Sequence, residues 1–214
     1  MAVKTVKASI NGQEYNLTYN ESSGSYKATI TAPSKSSYNN NDGHYYPVSV
    51  TATDDAGNST TVTDTDTTFG DDLKLKVKEK VKPTIAVTYP TDSATITSAT
   101  PTITWTVTDD DSGIDEATIA IKIDSGTYIT SGITTTAITK GFKCSYKVPT
   151  SLSNGTHSFS LKVSDHDGNA ATEVVTSFTV DTVPPALTIT SPADGLITNE
   201  ESLTVSGTTN DATS

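Results

Sequence analysis

Ser49-Val50-Thr51-Ala52-Thr53-Asp54-Asp55-Ala56-Gly57-Asn58-Ser59-Thr60-Thr61 returns later in the chain as Ser160-Leu161-Lys162-Val163-Ser164-Asp165-His166-Asp167-Gly168-Asn169-Ala170-Ala171-Thr172. In each copy alternating apolar residues run into Asp-x-x-Gly-Asn, and a Thr- or Ala-rich run follows. The pattern predicts strand, tight turn, strand. Gly57 and Gly168 tolerate positive φ, Asn58 and Asn169 do so nearly as well, and the Asp54 and Asp165 side chains can bond the backbone two residues on. A second repeat is independent of the first: Pro83-Thr84-Ile85-Ala86-Val87-Thr88-Tyr89-Pro90-Thr91-Asp92 matches Pro185-Ala186-Leu187-Thr188-Ile189-Thr190-Ser191-Pro192-Ala193-Asp194. The first motif closes a unit and the second opens one, so the chain is a tandem array.

Composition agrees with thin β-structure. The 214 residues include 42 Thr and 25 Ser, nearly a third of the chain, and only 33% are hydrophobic. Thr is β-branched and suits strands with one face in water. The formal charge is −11, and all 14 basic residues are Lys. Without Arg or a basic cluster, nucleic acid is excluded as a partner class, and the acidity reads as a solubility device. No apolar run is long enough for membrane insertion. Cys144 stands alone, which excludes an intrachain disulfide; it alternates with Phe142, Tyr146 and Val148 and reads as a small core residue. Residues 1–7 already alternate and contain no apolar signal core.

Three units follow from the punctuation. Residues 1–82 begin with a hairpin about Asn11-Gly12, flanked by Val6, Ala8 and Ile10 on one side and Tyr15, Leu17 and Tyr19 on the other. Tyr26, Ala28 and Ile30 continue the alternation, residues 33–43 form a polar loop, and Tyr46, Val48, Val50 and Ala52 lead into the first Asp-x-x-Gly-Asn turn. A Lys-studded strand closes the unit, with Leu73, Leu75 and Val77 facing one way and Lys74, Lys76 and Lys78 the other, as expected for a protected edge. Residues 83–182 contain strands near 85–89, 94–97, 101–108, 117–123, 127–130, 134–138, 142–148, 156–164 and 172–180. This number of short strands predicts a Greek-key sandwich centred on Trp105. Residues 183–214 hold two or three strands, near 187–189, 196–197 and 203–207. They read as the opening of a third, incomplete unit, because so few strands cannot bury their own apolar face.

Three motifs carry a family resemblance: Pro83-x-Ile85-x-Val87-x-x-Pro90; Thr106-Val107-Thr108-Asp109-Asp110-Asp111-Ser112-Gly113-Ile114-Asp115; and Val163-x-Asp165-x-x-Gly168-Asn169. They resemble the tandem bacterial immunoglobulin-like modules found in large surface adhesins and in phage virion proteins. The resemblance covers residues 83–182 and, as the front of another copy, 183–214. The first unit shares mainly the turn at 54–58, although Ser25-Tyr26-Lys27-Ala28-Thr29-Ile30-Thr31-Ala32-Pro33 resembles the N-terminal module of prophage structural proteins. The resemblance implies an all-β chain of immunoglobulin-like sandwiches joined by short proline-containing linkers. It also implies a spacer, display or adhesive role and no enzyme.

The expected function is therefore a structural component of a phage tail or baseplate, located in the virion. Other virion proteins or copies of the chain are the expected partners, and host-surface glycans a further class. A bacterial surface adhesin or stalk is the alternative, and an accessory module of a secreted enzyme the third reading. His44, His157 and His166 are scattered, and no nucleophile motif or metal spacing surrounds them. No cofactor is expected from these residues, with one alternative. Asp109, Asp110, Asp111 and Asp115 form a dense oxygen cluster that reads first as turn caps, which already account for the spacing, with Ca²⁺ binding as the alternative. Tyr38 and Tyr45, flanking Asn39 to Asn41, are the candidate sugar platform; packing as loop anchors is the competing reading.

Overall fold

A computed structural model describes residues 2–210. The first unit contains β1 (Val3–Ile10), β2 (Gln13–Asn20), β3 (Ser25–Lys27), β4 (Tyr46–Asp54), β5 (Ser59–Val62) and β6 (Lys74–Leu75). Asn11 (φ 48°) and Gly12 (φ 74°) form the two-residue turn of the β1–β2 hairpin. The register sets Val6 beside Leu17 and Ala52, and Ala8 beside Tyr15 and Val50, so one face is apolar. All six strands lie in one sheet, ordered β3-β2-β1-β4-β5 with β6 on β4. This corrects the expected two-sheet sandwich for residues 1–82.

The missing sheet has a local cause. Strand β3 stops at Lys27, short of the predicted Ala28 and Ile30. The Lys strand contracts to two residues because Asp66 and Gly70 wind the chain just before it. The Asp66 carboxylate accepts from the Thr68 and Phe69 amides at 2.8 and 2.9 Å. A 3₁₀ turn then covers Gly70–Leu73, and Gly70 packs against the Asp64 carbonyl, where a Cβ would come within 2.7 Å. Side chains that bond nearby backbone compete with the ladder, and here they win. Among the described residues Val6, Ile10 and Tyr46 are the sheet's buried apolar residues, and Tyr46 donates its hydroxyl to the Lys35 carbonyl of the polar loop at 3.3 Å.

The second unit is a full sandwich. Its strands are β7 (Thr84–Tyr89), β8 (Ala94–Ile96), β9 (Thr102–Thr108), β10 (Ile114–Ile123), β11 (Ile133–Ile138), β12 (Gly141–Lys147), β13 (Gly155–Asp165) and β14 (Val174–Val180). One sheet runs β10-β13-β14-β8 and the other β11-β12-β9-β7, the four-plus-three arrangement of constant-type immunoglobulin domains with β8 added beside β14 as an eighth strand. The predicted strand at 127–130 is reduced to a single bridge, Ile129 to Ile121. Ile103, Trp105 and Val107 of β9 and Phe159, Leu161 and Val163 of β13 lie in one buried cluster, with Trp105 1% exposed. Each fully buried side chain of this kind contributes roughly 1.5–3 kcal/mol.

Residues 187–209 form a hairpin, β15 (Leu187–Ser191) with β16 (Ser206–Thr209). No strand forms at 196–197, and the last strand starts later than predicted. Leu187, Ile189, Leu203 and Val205 are exposed. The repeat noted in sequence is also a repeat in backbone: Tyr89–Pro90 and Ser191–Pro192 are both cis. Among the described residues no helix is long and apolar enough to cross a membrane.

Two side chains of the sandwich yield measurable behaviour. Cys144 pairs with Trp105 across β12 and β9 and is fully buried, which pushes its thiol up to about 12. Iodoacetamide at pH 8 is expected to leave Cys144 unlabelled in the folded protein and to label it fully in denaturant; prompt native labelling would contradict the buried position. His157 Nδ1 lies 2.8 Å from Asp124 Oδ2 and Nε2 lies 2.9 Å from the Ser153 carbonyl. The bond to Asp124 leads in raising the His157 pKa, against the opposing effect of burial. A raised histidine value stabilises the fold below the ordinary value of about 6.5 and loses that contribution as pH climbs through the higher one. Asp124 is partly exposed, so the contribution is under about 1 kcal/mol. Denaturant melts from pH 5.5 to 8 are expected to show a smaller loss of stability in His157→Asn than in the wild type.

Candidate functional site

The two Asp-x-x-Gly-Asn turns share one construction. Asp165 Oδ1 accepts from the Asn169 amide at 2.8 Å and Oδ2 from Asn169 Nδ2 at 2.7 Å. Asp54 does the same with Asn58 at 2.9 and 3.0 Å. Gly57 and Gly168 both adopt φ 91°. The carboxylate thus reaches four residues on, rather than the two expected, and Asn58 holds the Asp54 carboxyl below its usual range. The turn at 54–58 is solvent-facing. That at 165–169 meets the first unit.

This junction is assembled from four segments. Ser37, in the first unit's polar loop, accepts from the Val77 amide through Oγ at 3.1 Å, and its own amide donates to the Val77 carbonyl at 2.9 Å. The strand leaving the first unit is thereby held in place. Two residues later the Glu79 amide donates to Asp167 Oδ2 at 2.9 Å, and the Glu79 carbonyl accepts from Asn169 Nδ2 at 3.2 Å. Glu79 Oε1 accepts from the Ser112 amide and hydroxyl at 3.0 and 2.9 Å. From the loop, the Ser36 amide donates to Asp111 Oδ2 at 3.0 Å, and Asn39 Nδ2 donates to the carbonyls of Asp111 at 2.6 Å and Ser112 at 3.2 Å.

An aromatic stack lies beside these bonds. The Tyr38 ring sits between His44 and His166, with centroids 4.1 and 4.0 Å away and planes within 6°. Two of the histidines that are scattered in sequence are therefore gathered by one tyrosine, and both faces of that ring are covered. Tyr45 turns the other way and donates its hydroxyl to Asp64 Oδ2 at 2.8 Å. Tyr38 and Tyr45 thus anchor their loop instead of forming a shared platform.

Beneath the stack, Glu79, Asp109 and Asp165 each offer a carboxylate oxygen, all within 4.8 Å of one another. They are 9%, 6% and 2% exposed. Asp109 Oδ1 accepts from the amides of Asp111 at 3.0 Å and Gly113 at 2.7 Å. The other acidic candidates stand elsewhere. Asp110 pairs with Lys140 at 2.8 Å, Asp111 receives Ser36, and Asp115 accepts from the Ala117 amide at 3.2 Å. Glu79 was missed from sequence because it follows a run read as a solvent-protected edge. Its phase with Leu73, Leu75 and Val77 was the available signal that it points inward.

Residues 79–182 match the family model of the bacterial Ig-like domain, which starts at the residue that enters the junction, and residues 185–214 match that of glucodextranase domain B. No curated protein matches the chain. Among solved structures, CopC from Methylosinus trichosporium OB3b is 20% identical over 46% of this chain and 94% of its own, with a TM-score of 0.35. The fibronectin(III)-like modules of CbhA from Clostridium thermocellum are 20% identical over 83% and 78%, at 0.36. Dimeric latent PorU from Porphyromonas gingivalis is 16% identical over 86% of this chain, at 0.41, and the chain spans 20% of PorU.

Replacing Tyr38 by Ala is expected to lower stability by about 1–3 kcal/mol, the sum of two ring contacts. It should also separate the melting of the two units in calorimetry, whereas Tyr38→Phe keeps one shared transition. Unchanged melting of Tyr38→Ala would remove the stack from any role in coupling.

Proposed function

We propose that this chain, whose residues 79–182 form a bacterial Ig-like domain, is a non-enzymatic structural and display protein of a phage or phage-like particle, at the tail or baseplate. The observation that carries the reading is the junction. A projecting element transmits position only if successive modules keep a fixed angle, and a junction bonded from both sides by backbone amides, carboxylates and a ring stack does that. The first unit suits docking, because Ala8, Leu17, Tyr26, Ala28 and Ile30 line an open apolar groove on its sheet. Its partners there are other virion proteins or further copies of the chain, and the later modules face the host surface and its glycans. Nothing in the role requires a cofactor.

A bacterial surface adhesin or stalk is the second reading, favoured by the match to a bacterial Ig-like domain; it keeps the same mechanics and moves the chain to the cell surface. The match of residues 185–214 to glucodextranase domain B favours a third, an accessory module of a secreted enzyme.

Quantitative mass spectrometry of purified particles and of the cell-wall fraction separates these readings. Peptides of this chain at stoichiometric abundance in particles are the expected result. Peptides confined to the wall fraction would replace the virion role with the adhesin.

A further inference from the structure

We propose that Glu79, Asp109 and Asp165 bind one Ca²⁺ ion that locks the first unit onto the second. Two observations carry this independently. The first is convergence: three carboxylates from three separate segments, the linker and two turns, bring an oxygen each to within 4.8 Å of one another. The second is lack of satisfaction. Glu79 Oε2 and Asp109 Oδ2 are buried and have no hydrogen-bond partner, although the other oxygen of each carboxylate accepts two.

Buried carboxylate oxygens without partners are costly, and like charges packed together cost more. None of the ion pairs among the described residues involves these three side chains. Lys78, one of the two lysines that flank Glu79, donates to the Asp167 carbonyl instead. A bound divalent cation removes both penalties at once. Each half-used carboxylate is also oriented by the bonds its other oxygen makes, Glu79 by Ser112 and Asp109 by the Asp111 and Gly113 amides. Asp165 is fixed by Asn169 and keeps lone pairs to spare, since an ionised carboxylate accepts about four hydrogen bonds.

The donor set selects the ion. Only oxygens converge, with no imidazole or thiol among them, which favours a hard cation. Ca²⁺ accepts irregular carboxylate cages, whereas Mg²⁺ demands near-ideal octahedral geometry and parts reluctantly with its water. The site keeps Asp109 of the four aspartates singled out in sequence and takes Glu79 and Asp165 in place of Asp110, Asp111 and Asp115.

The test is thermal unfolding of the full chain, stripped with chelator and then supplied with Ca²⁺ or Mg²⁺, together with calorimetric titration. One Ca²⁺ per chain is expected. At 100 times the dissociation constant it should raise the melting temperature by about 5–10 °C. Glu79→Gln should lose this rise. In chelator it should melt at or above the wild type, because it sheds an uncompensated charge and keeps the acceptor for Ser112. Asp115→Asn should respond to Ca²⁺ like the wild type. The proposal is overturned by an unchanged wild-type melt, by a full Ca²⁺ response in Glu79→Gln, by an equal response to Mg²⁺, or by a Glu79→Gln protein that melts well below the wild type in chelator.

Discussion

A strand with Thr or Ser at every second position can bury only its other side, and this constraint governs the whole chain. In the second unit it is met by facing two such strand sets against each other, so that Ile103, Trp105 and Val107 meet Phe159, Leu161 and Val163. Among the described residues of the first unit one sheet forms with no second sheet opposite it, and the polar loop bonds to it and to the exit segment, Lys35 to Tyr46 and Ser37 to Val77. Those segments cannot be idle loops. They satisfy their own backbone through Asn41, Ser37 and Asp66, and their surplus donors reach across to Asp111 and Ser112. The junction is thus a by-product of how a one-sheet unit completes itself.

Much of this was legible in sequence because it is local. The Asn11-Gly12 hairpin, the alternation of β9 and β10, the burial of Trp105 and Cys144 and the repeated turn all rest on spacing within about ten residues. The all-β, Greek-key reading of residues 83–182 followed from the same signals, and its immunoglobulin-like character from the resemblance of the motifs at 83–90, 106–115 and 163–169. The one-sheet character of the first unit was not legible, because Leu73 and Val77 alternate correctly yet lose to nearby turn chemistry at Asp66 and Gly70, and Ala28 and Ile30 alternate correctly yet lie beyond the end of β3.

The junction escaped for a different reason. Glu79, Asp109 and Asp165 are 30 and 56 residues apart in turn, and they meet only where the segment leaving the first unit packs on two loops of the second. The same holds for Tyr38 and His166, one from each unit. The acidic run at 109–111 was visible as a cluster, but its three members diverge in space: Asp109 inward, Asp110 to Lys140, Asp111 to Ser36. Density of a residue type along the chain is a poor guide to density in space when the segment is a turn.

The pairing of β8 with β14 has a mechanical meaning. It is parallel, joining Ala94, Thr95 and Ile96 to Phe178, Thr179 and Val180, while β7, which precedes it, pairs antiparallel with β9 in the other sheet. Once β7 has been drawn off β9, tension along the chain pulls β8 backward and β14 forward, so the two strands are loaded in shear. All three register pairs must yield together, where an antiparallel hairpin such as β15–β16, with both loaded ends on one side, would unzip a pair at a time. The β8–β14 pairing therefore resists a stretched chain better than the hairpin that follows it.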